Sequence, residues 1–417
     1  MSIIKPFKAL RPQAQYAKQV ASRPYDVLTS AEARIEAQGN PNSFLHITKS
    51  EIDLPEAFDL HNDEVYKKAK ENLRAFIKRD ILFRENKDCY YIYRLIMPDP
   101  QSAGKRQRQT GLVCISSVED YENDIIKKHE STRPEKELDR INHIKVTGAQ
   151  TGNVFLAYRN VDALDELIDK WVNTKDAVYN FKAGDNVEHT VWIINDSSSI
   201  DKITTIFKEQ VPFTYIADGH HRAASAAKVK KSLSKTYNAN ADYFLTTLFP
   251  ANQLRIMDYN RVVKNLNGLS VHDFLDALNQ DFTVEKSNEA YHPEQLHNFG
   301  FYADNKWYKL TAKRNTFSDD PIGALDVTIL QNNILGKFLN IHDQRTDKNI
   351  DFVGGIRGLQ ELEKRVDSGE MIAAFSLYPV SIEQLFAIAD SGNIMPPKST
   401  WFEPKLRDGL LTHLIYE

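Results

Sequence analysis

Two histidines and an arginine stand side by side in the segment Asp218-Gly-His-His-Arg222. An apolar and aromatic run over residues 211–217 precedes them and predicts a buried strand, and the alanine-rich run that follows predicts a helix. The first N–H groups of a helix lack partners within it, and the helix dipole is positive at that end. Arg222 can hold a phosphate or carboxylate with two parallel hydrogen bonds, and His220 or His221 can donate a hydrogen bond or shuttle a proton. The segment therefore predicts an anion-binding site.

Asp218 has several possible roles at this junction. It can cap the helix, orient a histidine or hold a metal ion. An Asp-Gly pair alone is a common turn, and a single histidine is usually structural. Four polar residues at one strand-to-helix junction favour a ligand site over a purely structural turn.

A second candidate region lies in the charged run over residues 118–140. Such runs are usually solvated helix faces, and that interpretation stays open here. The same run also brings hydrogen-bond donors, acceptors and a possible base around Pro134, namely His129, Glu130, Thr132, Arg133 and Arg140.

A third candidate is the segment Met395-Pro-Pro-Lys-Ser-Thr400. Two consecutive prolines predict a rigid loop, which would present the amine of Lys398 and the hydroxyls of Ser399 and Thr400. Loops with this chemistry often carry function, so we consider a ligand contact here as well as a structural role.

Composition and charge limit the class of protein. The chain has 417 residues, which suggests two or three structural units, and its 41% hydrophobic and 26% charged residues are ordinary for a soluble globular protein. A net charge of −4 argues against a dedicated nucleic-acid binder. No apolar run reaches membrane-spanning length, and Met1-Ser-Ile-Ile-Lys-Pro lacks a secretory hydrophobic block. Cys89 and Cys114 give neither a disulfide framework nor zinc spacing. We therefore expect a cytoplasmic protein.

Strand and helix patterns alternate along the chain. Residues 89–97 are aromatic and β-branched and predict a strand, with 109–115 as its antiparallel partner. Apolar residues at helical spacing predict a helix over 63–79. Residues 40–47 predict a turn that leads into a short strand. The alternation predicts an α+β protein with mixed α/β sheets rather than a doubly wound parallel one.

Several segments together resemble one large microbial family. It is known mostly as a conserved domain of unknown function and is sometimes labelled ParB-like (SpoOJ/ParB/RepB). The resemblance covers nearly the full chain. It rests mainly on Ser22-Arg-Pro-Tyr-Asp26, Asn40-Pro41, Lys128-His-Glu-Ser-Thr-Arg-Pro-Glu-Lys-Glu-Leu-Asp-Arg140, Ala217-Asp-Gly-His-His-Arg222 and Met395-Pro-Pro-Lys-Ser-Thr400.

The Asp-Gly-His-His-Arg segment is also similar to the Asp-Gly-x-His-Arg phosphate loop of free L-serine kinases, which share the ParB/sulfiredoxin-like fold. This resemblance implies a nucleotide-binding core, ATP or ADP as phosphoryl donor, Mg²⁺, and a small hydroxyl substrate such as serine. It implies that Gly219, His220, His221 and Arg222 lie at the nucleotide phosphates. It also implies a glutamate upstream of the loop as general base. Glu130 is our candidate, with Asp26 as the alternative.

We therefore expect two parts of the chain. Residues 1–255 would form a ParB/sulfiredoxin-like core with a large N-terminal elaboration, carrying the Asp218–Arg222 segment. Residues 256–417 would form a C-terminal α/β region that returns the Pro-Pro-Lys-Ser-Thr loop.

Together with the resemblance, these features predict a nucleotide-dependent phosphotransferase, a small-molecule kinase acting on a small hydroxyl metabolite, with the conversion of free L-serine to O-phosphoserine as the favoured reaction. Phosphoryl transfer needs charge neutralisation, in-line positioning and a base for the hydroxyl proton. The expected catalytic residues are Glu130, Asp218 and His221, with Asp218 also able to hold the metal. The expected substrate-binding residues are Arg23, Asp26, His129, Arg133, Lys398, Ser399 and Thr400.

Two other classes remain open at this point. A ParB-like regulator would bind nucleotide or DNA without small-molecule chemistry. It would need a basic face, whereas the sequence has only the short patches 105–108 and 228–231. A metal hydrolase would use both His220 and His221, but adjacent helix residues point about 100° apart and the chain has no His-x-x-x-His pair.

Overall fold

The computed structural model describes residues 1–56, 58–60, 62–99, 104–233 and 239–416. Contacts divide the chain into two compact units. Unit 1 comprises Met1–Lys128, Thr132–Leu254 and Pro404–Glu417, and unit 2 comprises His129–Ser131 and Arg255–Glu403. The predicted domain boundary between residues 255 and 256 stays a prediction. The two contact units do not follow that boundary, because residues Pro404–Glu417 belong to unit 1.

Strands and helices alternate through both units. The strands are β1 (Ile4–Lys5), β2 (Leu10–Pro12), β3 (Leu82–Arg84), β4 (Tyr90–Pro98), β5 (Arg106–Ser117), β6 (Ile126–Lys127), β7 (Ala149–Gln150), β8 (Val154–Tyr158), β9 (Tyr179–Lys182), β10 (Glu188–Ile194), β11 (Thr214–Asp218), β12 (Tyr243–Pro250), β13 (Ile256–Met257), β14 (Tyr259–Val263), β15 (Phe282–Ser287), β16 (Asn298–Ala303), β17 (Lys306–Ala312), β18 (Ile350–Gly354), β19 (Ala373–Leu377), β20 (Trp401–Phe402) and β21 (His413–Leu414). The α-helices are α1 (Ala17–Val20), α2 (Ser30–Ala37), α3 (Leu45–Thr48), α4 (Asp63–Lys78), α5 (Val118–Glu122), α6 (Pro134–Thr147), α7 (Asp162–Thr174), α8 (Ser197–Gln210), α9 (His220–Ser232), α10 (Val271–Leu278), α11 (Asp326–Leu330), α12 (Leu359–Asp367) and α13 (Ile382–Asp390).

Unit 1 is built on a mixed sheet. Within the described ranges it has nine strands, in the order β6-β11-β8-β12-β5-β4-β10-β9, with β1 paired to β5. Strand β11 runs parallel to β6 and antiparallel to β8, and β12 runs parallel to β8. The predicted pairing of 89–97 with 109–115 is present, with Tyr91 opposite Val113 in the β4–β5 hairpin. This combination of pairings confirms the predicted mixed α/β class.

The main core of unit 1 lies between this sheet and its helices. Leu156 of β8 and Ile216 of β11 are fully buried in one apolar cluster. The same cluster contains Leu164 of α7, Phe207 of α8 and Ala223 of α9. Helix α9 therefore packs through its alanines close to the strand that precedes it, which fixes the direction in which the helix leaves β11.

One predicted strand is a helix. Residues 40–47 were expected to lead into a strand, but Leu45–Thr48 forms the short helix α3. Leu45 and Ile47 are fully buried, and Ile47 shares an apolar cluster with Phe76 of α4. The β-propensity of a short β-branched segment is weak, and burial against a neighbouring helix outweighs it.

Unit 2 has its own antiparallel sheet, in the order β15-β17-β16-β19-β14-β18. Its buried cluster includes Val262 and Val353 from two of these strands and Leu362 from α12. In the part of the chain that the structure describes, none of the helices in either unit is long and apolar enough to cross a bilayer.

Candidate ligand site at the β11–α9 junction

The Asp218–Arg222 segment forms the junction between β11 and α9. Strand β11 ends at Asp218, and α9 begins at His220. Gly219 stands between them with a φ of 98°, a left-handed conformation that glycine adopts at little cost. No side chain caps α9, and its first turn contains no acidic residue. The positive end of the helix dipole is therefore not neutralised by its own first turn.

Arg222 is buried, with 7% of its surface exposed. Its Nη2 donates to both carboxylate oxygens of Asp26, at 2.9 and 2.7 Å, and its Nη1 donates to the carbonyl oxygen of Asn153. Burial opposes its charge, but Asp26 and Asp218 raise the pKa of Arg222 well above its usual value. The guanidinium is thus already paired inside unit 1. Its predicted contact with a nucleotide phosphate stays a prediction.

A second arginine lies close to this ion pair. The guanidinium carbon of Arg140 is 3.9 Å from the ring centroid of Tyr25, and that of Arg222 is 5.8 Å from it. Arg140 also pairs with Asp139 at 2.6 Å. The cavity lined by the two arginines and Tyr25 measures about 20 Å³, which is room for about one water molecule. The Arg222 side of α9 is therefore closely packed.

The C-terminal segment of unit 1 supplies two charged residues that the sequence analysis did not identify. Lys405 Nζ lies 3.2 Å from Asp218 Oδ2. Asp408 is 2% exposed, and its Oδ2 has no hydrogen-bond partner among the described residues. Burial raises the pKa of Asp408 to about 7, with Asp26 acting in the same direction and Arg222 opposing it.

Only a weak signal in the sequence marks this segment. Asp408 precedes Gly409, whose φ is 90°, and an Asp-Gly pair predicts a turn. Nothing in the local pattern indicates that the turn would lie beside an arginine 186 positions earlier in the chain.

The charge states of Asp218 and His220 are set by burial and by neighbouring charges. Burial raises the pKa of Asp218, but the positive charges of Lys405 and Arg222 lower it by a larger amount. The net shift is downward, so this carboxylate is ionised. Burial lowers the pKa of His220 to about 3, against the effect of Asp218. His220 is therefore a neutral imidazole near pH 7, able to donate a hydrogen bond but adding no positive charge.

His221 points toward the beginning of α6. Its Nε2 accepts a hydrogen bond from the backbone N–H of Arg133, at 2.9 Å. An accepting Nε2 carries no proton, so this geometry assigns the neutral tautomer with its proton on Nδ1. The structure thus brings Arg133 and Asp26 to the junction. Arg23, another predicted substrate ligand, instead pairs through Nε with Glu36.

The remaining predicted residues belong to unit 2. His129 and Glu130 are part of its short segment His129–Ser131, and the carbonyl oxygen of His129 accepts from the backbone N–H of Met395 at 2.9 Å. The proposed roles of Glu130 as base and of His129 as substrate ligand stay predictions.

The Pro-Pro-Lys-Ser-Thr loop is held to the sheet of unit 2. The fully buried Arg261 of β14 donates to the carbonyl oxygen of Pro397 at 3.3 Å. Lys398 is exposed and has a φ of 61°, and Ser399 Oγ donates to the Pro396 carbonyl oxygen at 2.6 Å. This anchoring is consistent with the predicted rigid loop. The substrate contacts of Lys398, Ser399 and Thr400 stay predictions.

In the described ranges, no group of three or more histidine, cysteine, aspartate or glutamate side chains is placed to hold a metal ion. The metal-hydrolase alternative therefore gains no support from these residues. Magnesium bound together with phosphates needs only one or two protein carboxylates. The ionised Asp218 fits that smaller requirement.

Comparisons with known proteins give a family and weak structural likenesses. A family model described as a protein of unknown function (DUF1015) matches residues 4–328. No curated protein matches the chain. A conserved hypothetical protein from Pyrococcus furiosus is similar in structure with a TM-score of 0.37, at 14% identity, over 73% of this chain and 97% of that one.

Two structures of mutant free serine kinase are similar to the same degree. The complex with AMP has a TM-score of 0.36 and the complex with ADP one of 0.34, each at 12% identity over 72% of this chain and 92% of that one. Likenesses of this strength establish neither a shared reaction nor a shared site.

Proposed function

The chain belongs to the DUF1015 family of proteins of unknown function, and we propose that it is a nucleotide-dependent phosphotransferase acting on a small hydroxyl metabolite, with free L-serine as the first acceptor to test. The observation that carries the proposal is the β11–α9 junction. There a helix begins after a left-handed glycine, with no side-chain cap and no acidic residue in its first turn. The similarity of this segment to the phosphate loop of free L-serine kinases supports the same assignment.

In this proposal the phosphates of ATP or ADP bind at the first turn of α9. Gly219 has no side chain to obstruct them, and the helix dipole favours negative charge there. His220 and His221 would donate hydrogen bonds as neutral imidazoles. Arg222 contributes positive charge close to the site, and it would contact a phosphate directly only if Asp26 released it.

Magnesium would bind with the phosphates and Asp218. When bound, the metal would neutralise negative charge on the phosphates and help orient the terminal one. The role of Lys405 is then to hold the Asp218 carboxylate in its ionised form and in one position, because the Lys405 ammonium lies 3.2 Å from it.

The transfer itself is an in-line displacement. The acceptor hydroxyl oxygen bonds to the terminal phosphorus, and the bond from that phosphorus to the bridging oxygen breaks, with its electron pair leaving on the nucleotide. The hydroxyl proton passes to a carboxylate base, a step worth about 10²–10⁴-fold. We keep Glu130 as the proposed base and Asp26 as the alternative.

A ligand screen tests the function as a whole. We expect ADP or ATP with Mg²⁺ to raise the melting temperature, and L-serine to raise it further, because ligands that bind only the folded state stabilise it. Formation of O-phosphoserine would then be measured directly. A shift with CTP alone would favour the ParB-like regulator, and the absence of any nucleotide-dependent shift would refute the proposal.

Two substitutions test the choice of base. Replacing the true base by its amide, in Glu130→Gln or Asp26→Asn, should lower kcat about 10²–10⁴-fold. Glu130→Gln should leave the Kd of the nucleotide within a factor of about three, whereas Asp26→Asn also weakens the pair with Arg222 and is expected to change that Kd as well. Glu135→Gln, at an exposed position, is the control and should leave kcat unchanged. If both amide variants keep full kcat, neither carboxylate is the base.

A further inference from the structure

Helix α9 presents two different faces beyond its first turn. Arg222 and Ala226 face the closely packed cavity of about 20 Å³. His221, Ala224, Lys228 and Lys231 follow one another at spacings of three and four, so they share the other face. That face borders a solvent-open cavity of about 400 Å³, a size that accepts a small organic ligand. Space for a ligand on α9 is thus found on the His221 face.

The walls of this larger cavity come from three helices of unit 1. Helix α9 contributes Ala224 and Ala227, two small buried residues that leave the floor open. Tyr121 of α5 and Thr132, just before α6, contribute further lining. Ser225 Oγ lies 2.7 Å from the carbonyl oxygen of His221 and 3.2 Å from that of Glu137, so one hydroxyl shared between the two acceptors links α9 to α6.

A buried carboxylate is the main charged group in this cavity. Glu137 of α6 is 4% exposed, and it accepts hydrogen bonds from Thr132 Oγ1 and Lys228 Nζ. Burial raises the pKa of Glu137, but the hydrogen bonds from Lys228 and Thr132 lower it below its usual value, so Glu137 is ionised. Lys228 is different because its side chain is 55% exposed, although its ammonium pairs with Glu137.

The charges around the cavity alternate in sign. Lys128 lies 2.8 Å from the carbonyl oxygen of Tyr121, and Lys231 pairs with Glu122 at 2.9 Å. Three lysines and two glutamates leave a net charge of +1 on the lining. The net charge alone would favour an anion, but a nucleotide polyphosphate that took Lys228 would leave the buried Glu137 carboxylate without its ammonium partner. A zwitterionic ligand can instead exchange the Glu137–Lys228 ion pair for two ion pairs, one with each residue, and the net charge of the lining then stays the same.

We propose that this cavity binds the amino-acid acceptor, with the α-ammonium group on Glu137 and the α-carboxylate on Lys228. The ligand enters the existing ion pair: Glu137 exchanges the Lys228 ammonium for that of the ligand, and Lys228 turns to the ligand's carboxylate. The methyl groups of Ala224 and Ala227 would pack against the side chain of the ligand. His221 lies one turn nearer the start of α9 on the same face, toward the proposed phosphate site. This inference rests on the proposed phosphotransfer and names the site of its acceptor.

Equilibrium binding of three compounds to the full chain tests the assignment. L-Serine carries both charged groups, ethanolamine lacks the carboxylate, and 3-hydroxypropanoate lacks the ammonium. Each charged contact should be worth about 10- to 100-fold in Kd, so both analogues should bind that much more weakly than L-serine. Glu137→Gln should remove the preference for L-serine over 3-hydroxypropanoate, and Lys228→Met the preference over ethanolamine.

Controls separate this inference from the function on which it rests. Glu135→Gln changes an exposed residue of the same helix and should leave all three affinities unchanged. Lys228 is half exposed, so Lys228→Met should fold even if Glu137→Gln does not. The assignment would be overturned if Lys228→Met bound L-serine as tightly as the wild type does. It would also be overturned if the substitution weakened the binding of ADP and not that of L-serine. If L-serine binds as expected but no nucleotide phosphorylates it, the cavity assignment stands and the phosphotransfer fails.

Discussion

Arg222 interacts with three carboxylates, of which Asp26 and Asp408 are distant in sequence and Asp218 belongs to the same segment. Asp26 binds it directly, and the carboxylates of Asp218 and Asp408 add to its positive pKa shift. Asp408 differs from the other two because one of its oxygens lacks a partner among the described residues. Asp26 takes the direct contacts of the Arg222 guanidinium, so the buried Asp408 is not fully compensated and takes up a proton more readily.

The proton on Asp408 leads to a pH dependence of stability. The folded-state pKa of about 7 lies above the ordinary value of about 3.9 expected in the unfolded chain. Between these values the folded protein binds more protons, so the contribution of Asp408 to stability is full below about pH 4 and is lost as the pH rises through 7. Asp408→Asn, which cannot titrate, should therefore become more stable relative to the wild type as the pH rises from 5 to 8.

Urea unfolding of both proteins at pH 5, 6, 7 and 8 measures this effect. Glu135→Gln, at an exposed position, should show a difference from the wild type that does not change with pH. A difference between Asp408→Asn and the wild type that is constant across this range would mean that Asp408 is ionised throughout.

At this scale the sequence could identify the chemical groups but not their partners. Asp218, His220, His221 and Arg222 stand together in the chain, so their common location followed from local structure alone. The ion pair between Arg222 and Asp26 spans 196 positions, and no local periodicity specifies such a contact. Glu137 was part of a charged helical run, and only the packing of α6 on α9 distinguishes its buried carboxylate from the exposed one of Glu135.

Among the elements, the β11–α9 junction depends on one backbone conformation. Gly219 has a φ of 98°, which a residue with a Cβ adopts only under strain. The added methyl group of Gly219→Ala would lie 3.4 Å from Val154 Cα, an ordinary contact, so backbone strain is the main effect. We expect Gly219→Ala to lower the free energy of unfolding by about 1–2 kcal/mol.

Chemical denaturation with Gly184→Ala as the matched control tests this expectation. A Cβ at Gly184 would meet no atom within 4 Å, and its φ lies outside the left-handed region. This control should change stability by less than about 0.5 kcal/mol. Equal effects of the two substitutions would show that the junction tolerates a side chain at Gly219.

Elements with a strong local pattern were predictable, and weakly patterned ones were not. The β4–β5 hairpin follows from two aromatic and β-branched runs, and α4 follows from apolar residues at helical spacing. The predicted strand near Ile47 was wrong because the segment is short, so that burial beside α4 decides its conformation. The mixed order of the sheet in unit 1 depends on pairings between distant strands, which propensity does not determine.

At the scale of the whole molecule, unit 1 is discontinuous in sequence. Its C-terminal segment returns after unit 2 and pairs with its early residues: Thr412 and Leu10 exchange backbone hydrogen bonds of 2.9 Å, as do Asp408 and Ser22 at 3.1 and 2.9 Å. Thr412→Pro removes the backbone N–H that donates a hydrogen bond to the carbonyl oxygen of Leu10. We expect a loss of about 2–3 kcal/mol in the free energy of unfolding, since the lost hydrogen bond is buried and the ring also strains the pairing.

Thr412→Ala is the control because it keeps the backbone N–H and removes only the side chain. Urea unfolding should rank wild type, Thr412→Ala and Thr412→Pro in falling order of stability. If the proline variant is no less stable than the alanine variant, the attachment of the C-terminal segment contributes little to unit 1.

The late return of this segment has a consequence for synthesis in the cell. Unit 1 is interrupted after Leu254 and resumes at Pro404, so 150 positions separate its two parts. At about 5–20 residues per second, a ribosome takes roughly 8–30 s to cover that distance. During this interval β7 lacks β21, and Asp218 lacks Lys405. The contiguous stretch 255–403 of unit 2 is therefore synthesised completely before the last strand of unit 1 is available to pair.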